Sequence, residues 1–102
     1  MILYNVTVSI DPSIEEDWLA WMQKDHIPKV INTGVFSKCL LSKINGNEEA
    51  ECTFSIMYWA KSQTALEDYF ENQAPLLQKE HGDRYQGKFG AFRTTLNIIA
   101  EF

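Results

Sequence analysis

Along residues 2–10 the chain alternates, with Ile2, Tyr4, Val6, Val8 and Ile10 set against Leu3, Asn5, Thr7 and Ser9. A period of two sends successive side chains to opposite faces, so this stretch predicts a strand with one apolar face. Asp11-Pro12-Ser13 ends it, and Ser13 followed by Glu16 reads as a capping box. Ile14, Trp18, Trp21 and Met22 then recur at helical spacing, behind acidic residues that suit the start of a helix. Pro28 is expected to interrupt that helix and to bias Ile27 away from helical dihedrals. Val30 and Ile31 fit a short second turn that stops at Gly34. Residues 35–44 read as a second strand, Asn45-Gly46 as a tight hairpin turn, and residues 50–60 as a third strand. Ser62 caps a second helix whose Leu66, Tyr69, Phe70, Gln73 and Leu77 share a face. Pro75 kinks that helix or restarts it, and His81-Gly82-Asp83 ends it. The last strand runs from Phe92 to about Ala100.

The resulting order, β-α-β-β-α-β, predicts an α+β, ferredoxin-like domain over residues 1–102. Its four-stranded antiparallel sheet carries both helices on one face, with the first and third strands in the middle. Parity then assigns the uncovered face. If Val6 and Val8 face the helices, Asn5, Thr7 and Ser9 point away. On the third strand Phe54 and Ile56 go inward, leaving Thr53, Ser55, Met57 and Trp59 outside. On the last, Leu96 and Ile98 are taken as inward, which leaves Arg93, Thr95, Asn97 and Ile99 outside. The uncovered face so assembled is polar yet nearly uncharged. It suits either a semi-enclosed wet cavity walled by Trp59 and Met57, or a solvent-exposed face where β-propensity selected the threonines. A second copy packed face to face would enclose it as a barrel, and a terminal strand over residues 97–102 would suit pairing with the partner's edge.

Composition narrows the partners. The 102 residues carry a net charge of -5 and no basic stripe, which argues against nucleic acid and against anionic lipid. No stretch is long and apolar enough to span a membrane, and residues 1–5 lack the basic start of a signal peptide, so a cytoplasmic protein is expected. Thirteen per cent aromatic residues supply a core that needs no metal or disulfide. Cys39 and Cys52 lie outside any metal-binding spacing, so no metal and no cofactor are expected. If Asn45-Gly46 were the whole loop, facing residue numbers would sum to 91, and the two thiols would lie opposite each other.

Chemistry concentrates in few residues. His26, beside Asp25, is either a base or ligand contact that titrates near neutrality, or a cation capping a helix end. Arg93 either clamps a carboxylate or phosphate, or pairs with an acid across a dimer. His81 reads as helix-end decoration, Trp18, Trp21 and Met22 as core, and Glu48, Glu49 and Glu51 as a solvated hairpin. The candidate ligand-binding residues are therefore His26, Arg93, Asn5, Thr7, Thr53, Ser55, Trp59, Thr95 and Asn97. No triad order, phosphate loop or paired-carboxylate motif is present.

Tyr4-Asn5-Val6-Thr7-Val8, the helix from Trp18 to Met22 leading into His26-Ile27-Pro28, Thr33-Gly34-Val35-Phe36 and Ala91-Phe92-Arg93-Thr94 resemble a small bacterial family of unknown function within the dimeric α+β barrel superfamily. The resemblance spans the whole chain and implies a homodimer with the fold predicted above. Other branches of the superfamily include antibiotic-biosynthesis and haem-degrading monooxygenases. The haem-degrading branch uses a first-strand Asn and a Trp and a His on the second helix. Asn5 matches the first, Tyr69 stands at the Trp position, and His81 lies off the family's spacing. The functions this leaves open are a barrel that binds a small polar or anionic molecule, a cofactor-independent monooxygenase- or isomerase-like enzyme, and a non-catalytic partner-binding module.

Overall fold

A computed structural model describes residues 1–46 and 52–102. Strands β1 (Ile2–Ile10), β2 (Phe36–Lys43), β3 (Thr53–Ala60) and β4 (Phe89–Asn97) form one antiparallel sheet in the order β2-β3-β1-β4. The connections are helical: α1 (Glu15–Trp21), a π turn (Met22–His26) and α2 (Ile27–Ile31) between β1 and β2, and α3 (Gln63–Asn72) and α4 (Ala74–Arg84) between β3 and β4. The helices cover the even-numbered face of β1 and β3. Tyr4, Val8, Phe54, Ile56 and Tyr58 are buried there with Trp18, Met22, Val30, Leu66, Tyr69 and Leu77 of the helices. Ring contacts link the layers, Trp18 meeting Phe54 at 4.9 Å and Tyr69 meeting Phe36 at 5.0 Å between centroids.

Several local expectations are corrected. Asp11, not Ser13, is the first cap: its Oδ1 accepts from the Ser13 amide at 2.9 Å and the Ser13 hydroxyl at 2.6 Å, starting a short 3-10 turn. Pro12, the first residue of that turn and three residues before the helix proper, favours the tighter entry. Pro28 does not end the helical run. Ile27 keeps helical dihedrals (φ -61°, ψ -44°), and its amide reaches back to the Met22 carbonyl. Ser62 caps α3 as expected, accepting from the Ala65 amide, and Pro75 opens α4 after a break at Gln73. That helix runs through His81 and Gly82 to Arg84, and the positive φ needed to leave it falls at Gly87 (φ 76°).

The register between β2 and β3 pairs Cys39 with Tyr58, not with Cys52, because the connection is longer than a two-residue turn; a separate bulge lies farther along, between Phe36 and Lys38. Cys39 is a free thiol, and the Cys52 thiol donates to Glu15 Oε2 at 3.6 Å. The acid run Glu48, Glu49 and Glu51 lies outside the described residues.

The largest correction concerns β4. Val6 pairs with Arg93, Tyr4 with Thr95 and Ile2 with Asn97. Directly paired residues project to the same face, so Arg93, Thr95 and Asn97 lie on the helical side and Phe92, Thr94 and Leu96 on the open one. The sequence pattern puts Leu96 inward for its apolarity and therefore, by parity, Arg93 outward. The opposite holds because the helical layer leaves Arg93 an opening, while the open face is itself part apolar: Leu40, Phe92 and Leu96 are 47%, 63% and 41% exposed on it.

Candidate functional site

The register correction divides the candidate residues into two groups on opposite faces. On the open face, Asn5 receives the Ser55 hydroxyl at 2.6 Å and donates its amide to the Thr7 hydroxyl at 3.0 Å, while Ser9 and Thr53 share a hydrogen at 2.9 Å. These short polar groups satisfy one another along the sheet. Trp59 lies under the Lys38 ammonium, 4.8 Å from its ring centre. Thr95 and Asn97 belong to the helical side by register and are exposed.

His26 and Arg93 come together instead in a cavity of about 40 Å³ between the sheet and the helices. That is room for about three water-sized groups. Its walls are apolar and aromatic, from Val8, Met22, Val30, Ile56 and Leu77 to Tyr58 and Tyr69. Its polar groups are His26, His81, Gln78, Arg93 and Tyr4, and among the described residues lining it none is acidic.

Each polar group has a specific cause for its state. His81 projects from the last turn of α4 and is 8% exposed. Its Nε2 accepts from the Trp18 indole N–H at 2.9 Å, so in the neutral ring the proton resides on Nδ1. Burial, the nearby His26 and Arg93 together pull its pKa down to about 4. His26 stacks on Trp21 with ring centres 5.1 Å apart and stands 5.8 Å from His81. Burial lowers it to about 4 as well, against the opposing pull of Glu80 and Asp25. Its buried Nδ1 has no hydrogen-bond partner among the described residues. Tyr4 is raised by burial, partly offset by Arg93 and by its hydrogen bonds to Arg93 and Gln78. At neutral pH the site therefore presents two uncharged imidazoles, an un-ionised tyrosine and one fixed guanidinium.

His26 is thus mid-helix, not a terminal cap, and His81 is a buried, hydrogen-bonded member of the cluster, not decoration. Reading His81 as a helix end concealed it. Its partner Trp18 is 63 positions away, and nothing local announces the bond. Cys39, beside Tyr58, is pushed up to about 11 by burial, so it is a thiol at neutral pH. Among the described residues no group of His, Cys, Asp and Glu is arranged to hold a metal ion, and no helix is long and apolar enough to cross a membrane.

An antiparallel sheet in this order, helices on one face and a cleft between the layers, define a ferredoxin-like α+β protein. The chain belongs to the family described as a domain of unknown function, DUF4286, whose sequence model matches residues 1–99. No curated protein matches its sequence. Solved structures share the fold at low identity. A dimeric ferredoxin-like protein from an uncultured marine organism superimposes with a TM-score of 0.70 at 14% identity, over 99% of this chain and 96% of that one. A putative antibiotic biosynthesis monooxygenase from Nitrosomonas europaea gives 0.68 at 10% identity, over 98% and 100%. The heme-degrader MhuD from Mycobacterium tuberculosis, solved with two hemes in its active site, gives 0.70 at 12% identity, over 100% and 99%.

The residues here do not fit a haem. The cavity admits about three water-sized groups, and the His81 Nε2 lone pair is already taken by the Trp18 N–H.

Proposed function

We propose that the cleft between sheet and helices binds a small organic monoanion with an apolar body, the charged group at Arg93 and the body against the tyrosine and aliphatic walls. The observation that carries this is the meeting of His26 and Arg93 in one cavity whose lining holds a cation and no acid. A guanidinium with no carboxylate beside it favours a ligand that supplies the negative charge, in a geometry suited to two parallel hydrogen bonds. Neutral imidazoles add no charge of their own and serve as a donor at His81 Nδ1 and an acceptor or donor at His26 Nδ1.

Calorimetric titration with acetate, propionate and 1-propanol checks this. Propionate is expected to bind and the neutral alcohol to bind far more weakly. Arg93→Gln should weaken propionate by about tenfold to a hundredfold, the range for loss of a charge-assisted hydrogen bond. Equal affinity for the alcohol, or an Arg93→Gln variant that binds propionate unchanged, would refute the reading.

A second reading is favoured by the partnerless His26 Nδ1. A neutral imidazole beside a guanidinium is equipped to take a proton from an activated C–H while the cation stabilises the enolate, the first step of an isomerase- or monooxygenase-like reaction without cofactor. It requires that the protein speed deuterium uptake at that carbon in D2O, and no acceleration across a series of enolisable acids would remove it.

The open face supports a homodimer. Leu40, Phe92 and Leu96 share it with Met57 and Trp59, more apolar surface than a solvated sheet face carries. Sedimentation is expected to give a dimer for the native chain. Phe92→Asp with Leu96→Asp, two charges placed in the middle of that interface, should give a monomer that keeps its far-UV spectrum. A native chain sedimenting as a monomer at micromolar concentration would contradict the dimer.

A further inference from the structure

The helical run from Glu15 to Ile31 buries both its ends on the same layer, with Trp18 0% and Val30 1% exposed. Twelve residues of uninterrupted α-helix at about 100° each would leave those two side chains about 120° out of phase. Taking up one residue in a wider turn cuts the mismatch to about 20°. The π turn Met22–His26 is that wider turn. Its effect is visible in the stacking of His26 on Trp21, with an interplanar angle of 29°. Residues five apart lie about 140° from each other around an α-helix and do not meet.

Phase explains why one extra residue is needed but not where it goes. Pro28 supplies the place. It has no amide to offer the Lys24 carbonyl, and in α geometry its ring collides with that carbonyl. Widening the turn immediately before it relieves the collision, and the Ile27 amide bonds five residues back, to the Met22 carbonyl. With the extra residue taken up ahead of it, His26 keeps its four-residue relation to Val30 and faces the cavity. Taken up after it, the imidazole would rotate by about 100°.

We propose that Pro28 is the positioning residue for His26: it pins the π turn between Met22 and His26, and so aims the imidazole into the cavity toward His81 and Arg93. The purpose of that aim rests on the cavity being a ligand site, but the geometry is tested without any ligand. In Pro28→Ala the turn is free to migrate while Trp18 and Val30 stay buried, so the fold is retained. Pro28→Ser, which also restores the amide, is the companion variant should the alanine protein fail to fold.

Histidine side-chain NMR across a pH titration provides the readout, with His81 as internal control. In the variant the His26 midpoint is expected to rise by a unit or more toward its ordinary value. Its ring protons should lose the upfield shift imposed by Trp21, and the new amide at position 28 should become protected from exchange. His81, held by Trp18, should keep its midpoint. Propionate affinity should fall by about tenfold, as for one lost hydrogen bond. An unchanged His26 midpoint and ring shift in both variants would overturn the proposal. Native protein that fails to bind propionate, with His26 nevertheless moving in the variant, would instead count against the ligand reading alone.

Discussion

Trp18→Phe is expected to destabilise the protein by about 2–4 kcal/mol, a large share of the roughly 5–15 kcal/mol that holds a domain of this size. The indole is fully buried and packs on Phe54, contacts that a phenyl ring largely keeps. The phenyl ring cannot keep the N–H donated to His81 Nε2 at 2.9 Å. A buried acceptor stripped of its donor costs about 1–3 kcal/mol, and the smaller ring leaves a void on top of that. The same change releases the lone pair that the indole had blocked, so the His81 pKa should climb from about 4 while burial still holds it below the ordinary value. Urea denaturation reads the first effect and imidazole NMR the second. A loss below about 1 kcal/mol with His81 unmoved would mean that the indole–imidazole bond contributes little.

The pair of histidines also makes stability depend on pH. Both have folded values near 4, against about 6.5 unfolded. Between those limits the unfolded chain takes up protons that the folded one refuses. Unfolding is therefore favoured as pH falls, at up to about 1.4 kcal/mol per pH unit for each histidine. Stability is fully present above pH 6.5, declines through the window, and levels off for these groups below about 4, a total of about 3–6 kcal/mol for the pair. The charged groups around His26 are Glu80 and Asp25, which favour its protonation, and Lys29 and Arg93, which oppose it. Asp11 and Glu15 are lowered by their hydrogen bonds and act in the same direction at lower pH, below the histidine window. Urea midpoints measured from pH 7.5 to 4.5 should fall steeply, and His26→Gln should remove about half the slope. A flat profile down to pH 5 would show that neither imidazole is held neutral.

Much of this architecture is readable from the chain, and what is not readable has identifiable causes. The alternation in β1 and β3 is strict because one face of each meets the helices, so element order, strand order and the burial of Tyr4, Val8, Phe54 and Ile56 all follow from period two. In β4 the same logic misleads. Phe92 and Leu96 are apolar because the open face is apolar there, and Arg93 is inward because a cavity receives it. Polarity marks a face only when the other side is known to be water. Register carried a similar penalty in β2, where a connection longer than two residues moves Cys39 from Cys52 to Tyr58.

His26 and Arg93 are legible as chemistry, but parity puts Arg93 on the wrong face of the sheet, and nothing in the pattern brings His26 to it. His81 was missed because its environment is made by contacts distant in sequence. The π turn did leave a trace. Trp18, Met22, His26 and Val30 recur every fourth residue over twelve positions, a repeat too long for an α-helix to keep on one face. Read as a helix breaker, Pro28 hid that signal.

The central claim is that ligand chemistry belongs to the helical face of the sheet and not to the hydroxyl-lined open face. Amide and side-chain chemical-shift mapping during a propionate titration at pH 7 separates the two faces in one experiment. Shifts gathered on His26, Gln78, His81 and Arg93, with Asn5, Thr7, Thr53 and Ser55 unmoved, are the expected result. Shifts centred on Asn5, Thr7 and Ser55, with the two histidines silent, would contradict it.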